Sequence, residues 1–149
     1  MSYETLKEDL RQDVAGACAA QKTRNASRKL SRRYDDALRP LGLKCSQYSM
    51  LVIITLTEDR TLTELAGHVG LERTTLIRNL KPLEREGWVK VSEEGYRRAR
   101  TVEITEQGLA KLEEALPIWY ATQKSLKEEL GEGTWQSVHQ SLEALNRIN

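Results

Sequence analysis

The chain of 149 residues is long enough for one small domain with its own hydrophobic core. A hydrophobic fraction of 39% and a charged fraction of 30% are typical of a globular protein, and the most apolar run, residues 50–56, is too short to cross a membrane. The first residues are charged and lack a secretory apolar region, so we expect the protein to remain in the cytoplasm.

The two cysteines, Cys18 and Cys45, and the two histidines, His68 and His139, do not fall at spacings typical of a metal site. No nucleophile with a nearby base, and no pair of carboxylates, stands at a spacing that enzyme chemistry would need. The sequence therefore argues against an enzyme, and it predicts neither a metal nor another cofactor.

The net charge of +1 conceals an uneven distribution along the chain. Residues 22–44 carry eight lysines and arginines against two acidic residues, and residues 71–100 carry eight against five. The remaining segments are net negative. Because a nucleic-acid-binding protein needs a basic face rather than a basic total, this distribution permits DNA binding without proving it.

Helical periodicity runs from about Asp9 to Leu38, and the following Arg-Pro pair is expected to end that helix. Its middle, QKTRNASRK, fits either a solvated face or the lining of a cavity shared with a partner helix. Ser46 is expected to cap a helix over residues 47–56, which is apolar on every face and should form the centre of the core.

Residues 61–86 predict two helices joined by a tight turn. Residues 61–62 are expected to form a short strand, and Thr63 to cap a helix over residues 64–69 that ends at Gly70. A second helix over residues 73–86 should bury its apolar row and kink at Pro82, which lacks an amide hydrogen. Its outward residues are Arg73, Thr74, Thr75, Arg78, Lys81 and Arg85.

A two-stranded ribbon is predicted next, with strands over residues 88–91 and 101–104. Its tip carries Arg97, Arg98 and Arg100. Thr105 is expected to cap a long helix, bent at Pro117, whose inward face is Leu109, Leu112, Leu116, Trp119 and Leu126. Thr134 is expected to cap a last helix with Val138, Leu142, Leu145 and Ile148 along one face.

The helix over residues 73–86 has the arginine and threonine side chains that major-groove recognition uses. Taken alone, it fits an amphipathic helix with a solvated basic face equally well. The arginine-tipped ribbon is poorly explained by packing and well explained by a wing that contacts the DNA backbone or the minor groove. The order helix, turn, helix, ribbon is the pattern of a winged helix-turn-helix.

Four segments together resemble the MarR-type transcriptional regulators: GLKCSQYSMLVIITL, LTELAGHVGLERTTLIRNLKPLEREGWV, RRARTVEITEQG and the two C-terminal helices. The resemblance covers nearly the whole chain and implies one domain, residues 1–149, that is mainly α-helical with a small β-hairpin wing. It implies a winged helix-turn-helix lobe over residues 46–105 and a helical dimerisation region formed by residues 9–38 and 106–149.

The resemblance also implies a homodimer that reads an inverted repeat in double-stranded DNA. It implies that a small molecule or an oxidant weakens DNA binding and so releases a repressor. The base-reading or groove-facing positions would be Arg73, Thr74, Thr75 and Arg78, with Lys81 in the same outward row. Ser46 and Thr63 match helix-start positions that commonly contact phosphate.

Arg98 matches the arginine that the family has at the wing tip. The family usually has Asp two residues before it, where this chain has Tyr96. Arg97 or Arg100 could therefore share the role of Arg98.

The effector site implied by the resemblance lies between the dimerisation helices and the DNA-binding lobe, where Arg24, Arg28, Tyr34 and Tyr48 would meet an anionic aromatic ligand. The alternative is that the arginines are solvated and the tyrosines belong to the core.

The two cysteines are candidate oxidant sensors. Lys44 beside Cys45 would favour its thiolate. The alternative for Cys18 and Cys45 is that they are buried, unreactive thiols.

A winged-helix protein-interaction module without DNA-binding activity is the alternative function. The arginines of the ribbon argue against it, because they predict a complex with DNA that weakens steeply with salt.

Overall fold

The computed structural model describes residues 1–57, 61–93 and 99–148. In chain order it contains α1 (Tyr3–Asp9), a π-helical turn (Leu10–Val14), α2 (Ala19–Leu38), a 3-10 turn (Arg39–Leu41), α3 (Cys45–Leu56), α4 (Leu62–Val69), α5 (Arg73–Arg85), β1 (Val89–Val91), β2 (Val102–Ile104), α6 (Glu106–Leu130) and α7 (Glu132–Leu145). The expected fold class is confirmed, because the chain is mainly α-helical and β1 pairs with β2 in an antiparallel hairpin. The chain divides into two compact units, residues 1–33 and 34–149.

The first unit differs from the single helix predicted from residue 9 onward. Ser2 caps α1 by accepting a hydrogen bond from the Thr5 amide at 3.1 Å, so helical structure starts earlier than expected. Residues 15–18 then interrupt the helix before α2 begins. Gly16 lies in this break, and glycine costs a helix about 1 kcal/mol relative to alanine. The predicted helix end at Leu38 is confirmed.

The core of the second unit is centred on α3, as the apolar pattern of residues 47–56 predicted. Leu51 is fully buried, and α3 packs against both α6 and β2. The leucines of α4 and α5 complete this core with Leu62, Leu65, Leu76, Leu80 and Leu83. Burial is not uniform around α3, because Leu56 at its end is 77% exposed.

The expected cap of α3 is wrong. Its N-cap is Lys44, so Ser46 lies inside the first turn. The Lys44 amide donates to Gln47 Oε1 at 2.9 Å, and the Cys45 amide donates to Asp35 Oδ1 at 2.7 Å. A carboxylate from the end of α2 therefore satisfies one of the otherwise unpaired amides in the first turn of α3.

The start of α4 also differs from the prediction, because Thr61 rather than Thr63 is its N-cap. The Thr61 hydroxyl accepts from the Glu64 amide at 3.2 Å, and the Glu64 carboxylate accepts from the Thr61 amide at 3.1 Å. This capping box satisfies two otherwise unpaired amides. The short strand expected at residues 61–62 is reduced to a bridge between Thr61 and Thr101.

The helix α5 runs through Pro82 without ending there. Its predicted inward row is buried except for Ile77, which is half-buried. The bend expected at Pro82 stays a prediction. The hairpin pairs Lys90 with Glu103, and each strand is one residue shorter than predicted.

Thr105 caps α6 as predicted, since its hydroxyl accepts from the Gly108 amide at 3.0 Å. The predicted inward face of α6 is partly wrong. Leu109 and Leu116 are each 42% exposed, whereas Ala115 is fully buried in the core. The helix continues through residue 117, and the bend expected there stays a prediction.

The last helix, α7, begins at residue 132 after the N-cap Gly131, so the predicted cap Thr134 is wrong. No residue of α7, which the structure describes throughout, is buried. Leu142 and Leu145 are 41% and 40% exposed, and Ile148 just beyond the helix is more exposed still. The apolar row that the sequence showed is therefore present but uncovered within one chain.

Candidate nucleic-acid interface

The turn between α4 and α5 fixes the direction of α5. Gly70 ends α4 with a φ of 65°, a left-handed conformation that glycine adopts without the steric cost of a side chain. The Leu71 amide then donates back to the Ala66 carbonyl at 2.9 Å. This backbone hydrogen bond stabilises the short connection between α4 and α5, which is the turn of a helix-turn-helix.

The outward face of α5 carries the residues predicted to read DNA. Three leucines occupy the opposite face and are buried, which holds this face outward. The exposed positions include Arg73, Thr74, Arg78 and Lys81, and Thr75 is half-buried. Guanidinium groups can bind guanine or phosphate, and threonine offers a hydroxyl and a methyl group to base edges. The arrangement provides the chemistry of a recognition helix.

Ser46 and Thr63 are not caps, yet both lie exposed in the first turns of their helices. Unpaired backbone amides at helix starts attract anions. This position supports a contact with DNA phosphates, which stays a prediction for both residues.

Arg100 lies at the base of the wing. Its Nε donates to the Ser92 carbonyl at 3.1 Å, and its own carbonyl accepts from the Leu62 amide at 2.9 Å. The Thr101 amide donates to Ser92 Oγ at 2.8 Å. The Arg100 guanidinium therefore joins the two arms of the wing, and the Arg100 carbonyl joins the wing to the start of α4. The predictions for Tyr96, Arg97 and Arg98 concern residues outside the described part of the chain.

The junction of α5, the wing and α6 contains residues that the sequence did not single out. The Thr105 hydroxyl donates to the Gly87 carbonyl at 2.6 Å, and the Thr105 amide donates to the Trp88 carbonyl at 3.0 Å. Gly108 approaches the Trp88 backbone so closely that a side chain would not fit. Lys111 places its Nζ 5.8 Å from the centroid of the Trp88 ring. In the sequence, Lys111 resembles any surface lysine of a helix.

Tyr34, Cys45 and Tyr48 lie together at the second unit's core. Burial, followed by the nearby Asp35 carboxylate, raises the pKa of the Cys45 thiol, although a hydrogen bond with Ser49 lowers it. This direction is opposite to the thiolate that Lys44 was expected to favour. Oxidant sensing by Cys45 therefore stays a prediction without that support.

The two tyrosines of the expected effector site are partly or wholly buried, Tyr48 being 8% exposed. Burial raises the pKa of both phenols, with Cys45 as a further cause at Tyr34 and Tyr120 at Tyr48. A groove of about 350 Å³ lies beside Tyr48 between α3 and α6, and its charged lining residue is Glu113. Because a carboxylate repels an anion, this groove suits an apolar molecule better than the expected anionic one.

Arg24 and Arg28 lie in the first unit, on α2, where both are exposed. They are linked to each other through Gln21 and Asn25. Cys18 also belongs to this unit and is half-buried.

Residues 48–90 match the family described as winged helix-turn-helix DNA-binding. YwoH, an HTH-type transcriptional regulator of Bacillus subtilis, is 29% identical over 89 residues, which cover 60% of this chain and 65% of YwoH. The M. tuberculosis transcriptional regulator MosR is 39% identical, with a TM-score of 0.73 over 88% of this chain and 94% of MosR. MosR in complex with DNA is 38% identical, with a TM-score of 0.69 over 88% of this chain and 99% of MosR.

The oxidized form of E. coli MarR shares the fold at 20% identity, with a TM-score of 0.70 over 92% of this chain and 98% of MarR. With the helix-turn-helix and the wing described above, these matches show that the chain belongs to the MarR-type winged helix-turn-helix transcriptional regulators. That family consists of DNA-binding regulators and not of enzymes. Across the described residues, no helix has the length and apolar character needed to span a membrane.

Proposed function

We propose that this protein is a homodimeric repressor that binds an inverted-repeat operator and leaves it when an effector binds. The observation that carries the proposal is the outward face of α5, which combines exposed arginines, threonine and lysine above a fully buried leucine row. The similarity to MosR, which has been solved in complex with DNA, supports DNA as the partner.

The roles on DNA follow from the side-chain chemistry. In the proposal, Arg73, Thr74, Thr75 and Arg78 contact base edges in the major groove. Lys81, Ser46 and Thr63 contact phosphates. The wing arginines contact the backbone or the minor groove; for Arg97 and Arg98 this rests on the sequence, and Arg100 contributes from the wing base.

The dimer is supported by apolar surface that one chain leaves uncovered. The apolar row of α7 is exposed, and a groove of about 670 Å³ between α6 and α7 is lined by Trp119, Trp135 and His139. Exposed apolar patches of this kind mark interaction surfaces. We therefore place dimer contacts on apolar side chains of the helical region of residues 9–38 and 106–149.

The proposal also concerns how the protein is released from DNA. A small anionic molecule or an oxidant is proposed to lower the affinity for the operator. The exposed arginines Arg24 and Arg28 support an anion, and Cys18 and Cys45 are the thiols an oxidant would meet.

Selection of bound duplexes from a random pool tests the proposal. A homodimer with two α5 helices should select an inverted repeat whose half-sites are roughly 10 base pairs apart, or a multiple of that spacing. Binding of the selected duplex should fall as salt rises. Recovery of no duplex at low salt would favour the protein-interaction module instead, and an asymmetric site without repeat would contradict the dimeric reader.

A further inference from the structure

The exposed face of α2 carries a row of arginines that DNA recognition by α5 does not explain. Residues 22–34 contain six lysines and arginines and no acidic residue. Every side chain from residue 21 to residue 29 is exposed. Arg24, Arg28 and Arg32 stand four residues apart, so they lie on one face at intervals of about 6 Å along the helix.

Two amide side chains hold the first two guanidinium groups in place. Arg24 Nη2 donates to Gln21 Oε1 at 3.1 Å, and Gln21 Nε2 donates to Asn25 Oδ1 at 3.2 Å. Arg28 Nη2 donates to the same Asn25 oxygen. The chain Arg24–Gln21–Asn25–Arg28 therefore keeps both guanidinium groups on the same side of α2.

Elsewhere in the chain, basic residues pair with carboxylates three or four residues away. Arg11 pairs with Glu8 at 3.6 Å, Lys124 with Glu128 at 3.9 Å, and Arg147 with Glu143 at 3.8 Å. Arg24 and Arg28 instead have neutral amide partners, which orient a guanidinium group but do not neutralise it. Each guanidinium has five N–H donors and gives one to its amide partner, so donors remain for a ligand.

We propose that Arg24, Arg28 and Arg32 form an anion-binding face for a phosphate-rich ligand, either a free oligophosphate or the backbone of a nucleic acid. Guanidinium forks bind phosphate oxygens in a bidentate manner, and a row of three charges favours a ligand with several charges. Residues 19–33 contain no aromatic side chain, so this face offers nothing for an aromatic ring to stack on. A phosphate-rich ligand suits it better than the anionic aromatic ligand expected from the sequence.

Control of DNA binding by this ligand rests on the proposed repressor function, whereas binding of the anion does not. Experiments can therefore reject control of DNA binding without rejecting anion binding, and the reverse. Loss of operator release with intact anion binding would remove only the regulatory role.

The test compares two variants of the full chain that lose the same charge. Arg24→Gln/Arg28→Gln removes the paired guanidinium groups, and Lys22→Gln/Lys29→Gln removes two charges from a different face, about 130° around the helix. Circular dichroism checks that both variants keep the helical content of the native chain. Titration calorimetry then measures binding of sodium tripolyphosphate at fixed ionic strength, and fluorescence anisotropy measures binding of a duplex without the operator sequence.

The arginine variant should bind tripolyphosphate about tenfold more weakly than the native chain, because two charge-assisted hydrogen-bonding groups are lost. The lysine variant should change by less than about twofold, since screened charges away from the ligand contribute little. If tripolyphosphate does not bind and only duplex affinity separates the variants, the ligand is a nucleic-acid backbone. The proposal would be overturned if both variants lost affinity equally. It would also be overturned if neither tripolyphosphate binding nor duplex binding depended on Arg24 and Arg28.

Discussion

At the scale of single residues, Gly108 in the first turn of α6 is tightly constrained. A Cβ built there would lie 2.1 Å from the Trp88 carbonyl oxygen and 2.8 Å from Ile104 Cγ1. The obstacle is backbone, which cannot rotate away as a long side chain can. Gly108 therefore allows α6 to start directly against the base of the wing.

Gly108→Ala should destabilise the protein by about 1–3 kcal/mol, the usual cost of overpacking. Gly67→Ala is the matched control, because a Cβ at that helical glycine would meet nothing within 4 Å. It should instead stabilise the protein by about 0.5–1 kcal/mol through helix propensity. Urea unfolding at one fixed protein concentration measures both, since the stability of an oligomer depends on concentration. Equal midpoints for Gly108→Ala and the native chain would contradict this account.

Cys45 shows how a neighbour in space outweighs a neighbour in sequence. Lys44 precedes it, yet burial and the Asp35 carboxylate raise the pKa of the thiol. Folding therefore favours the protonated form. The stabilisation is fully present below the pKa of the unfolded thiol, and it is lost as pH rises through the higher folded pKa.

In a Cys18→Ser variant, alkylation of Cys45 by iodoacetamide should require a higher pH in the folded chain than in guanidinium chloride. The thiolate is the reacting form, and the folded thiol gives up its proton later. Rates measured from pH 6 to 11, with a free thiol such as N-acetylcysteine as reference, give the two profiles. If the alkylation rate of the folded chain instead rose at lower pH than that of the unfolded chain, Cys45 would be a reactive thiol and this account would be wrong.

At the scale of elements, α5 owes its role to two opposite faces. Its leucine row is buried, and the tight turn after α4 determines where its first residues point. The outward side chains are then already directed away from the core. A recognition helix held in this way loses little conformational entropy when it binds.

Arg78→Ala should cost about 1–3 kcal/mol on the selected operator and little on random duplex, if Arg78 reads a base edge. Arg39→Ala removes the same charge from an exposed ion pair with Asp36, outside both the helix-turn-helix lobe and the proposed dimer region, and serves as the control. Competition between operator and random duplex at one salt concentration measures the difference. Equal weakening on both duplexes would assign Arg78 to the phosphate backbone.

At the scale of the whole molecule, the described chain leaves apolar side chains uncovered on α3, α6 and α7. They include Leu56, Leu116, Leu142 and Leu145. Burial of a leucine side chain is worth about 1.5–3 kcal/mol, so covering several of them would stabilise an assembly substantially. This surface agrees with the proposed homodimer.

Leu142→Glu should weaken the dimer by roughly 100-fold or more, because a homodimer loses one buried leucine on each chain, together about 3–6 kcal/mol. Gln140→Glu adds the same charge to the same helix, roughly 160° away around its axis, and should leave the dimer intact. Sedimentation equilibrium over a range of concentrations measures both dissociation constants. Identical values for the two variants would exclude the Leu142 face from the interface.

Much of the fold could be predicted because its signals are local. The buried row of α5, the end of α4 at Gly70 and the cap of α6 at Thr105 all follow from neighbouring residues in the chain. The caps of α3 and α4 each lie two residues before the predicted position, because Lys44 and Thr61 compete with nearby candidates and local patterns cannot rank them.

The sequence by itself determined the helix-turn-helix, the outward basic row and the uneven distribution of charge. These depend on periodicity and composition over a few turns. Only the tertiary structure decided that Asp35 binds the Cys45 amide, that Lys111 lies over Trp88, and that Leu109 is left exposed. Each of these depends on groups distant along the chain, and no local pattern records which distant groups will meet.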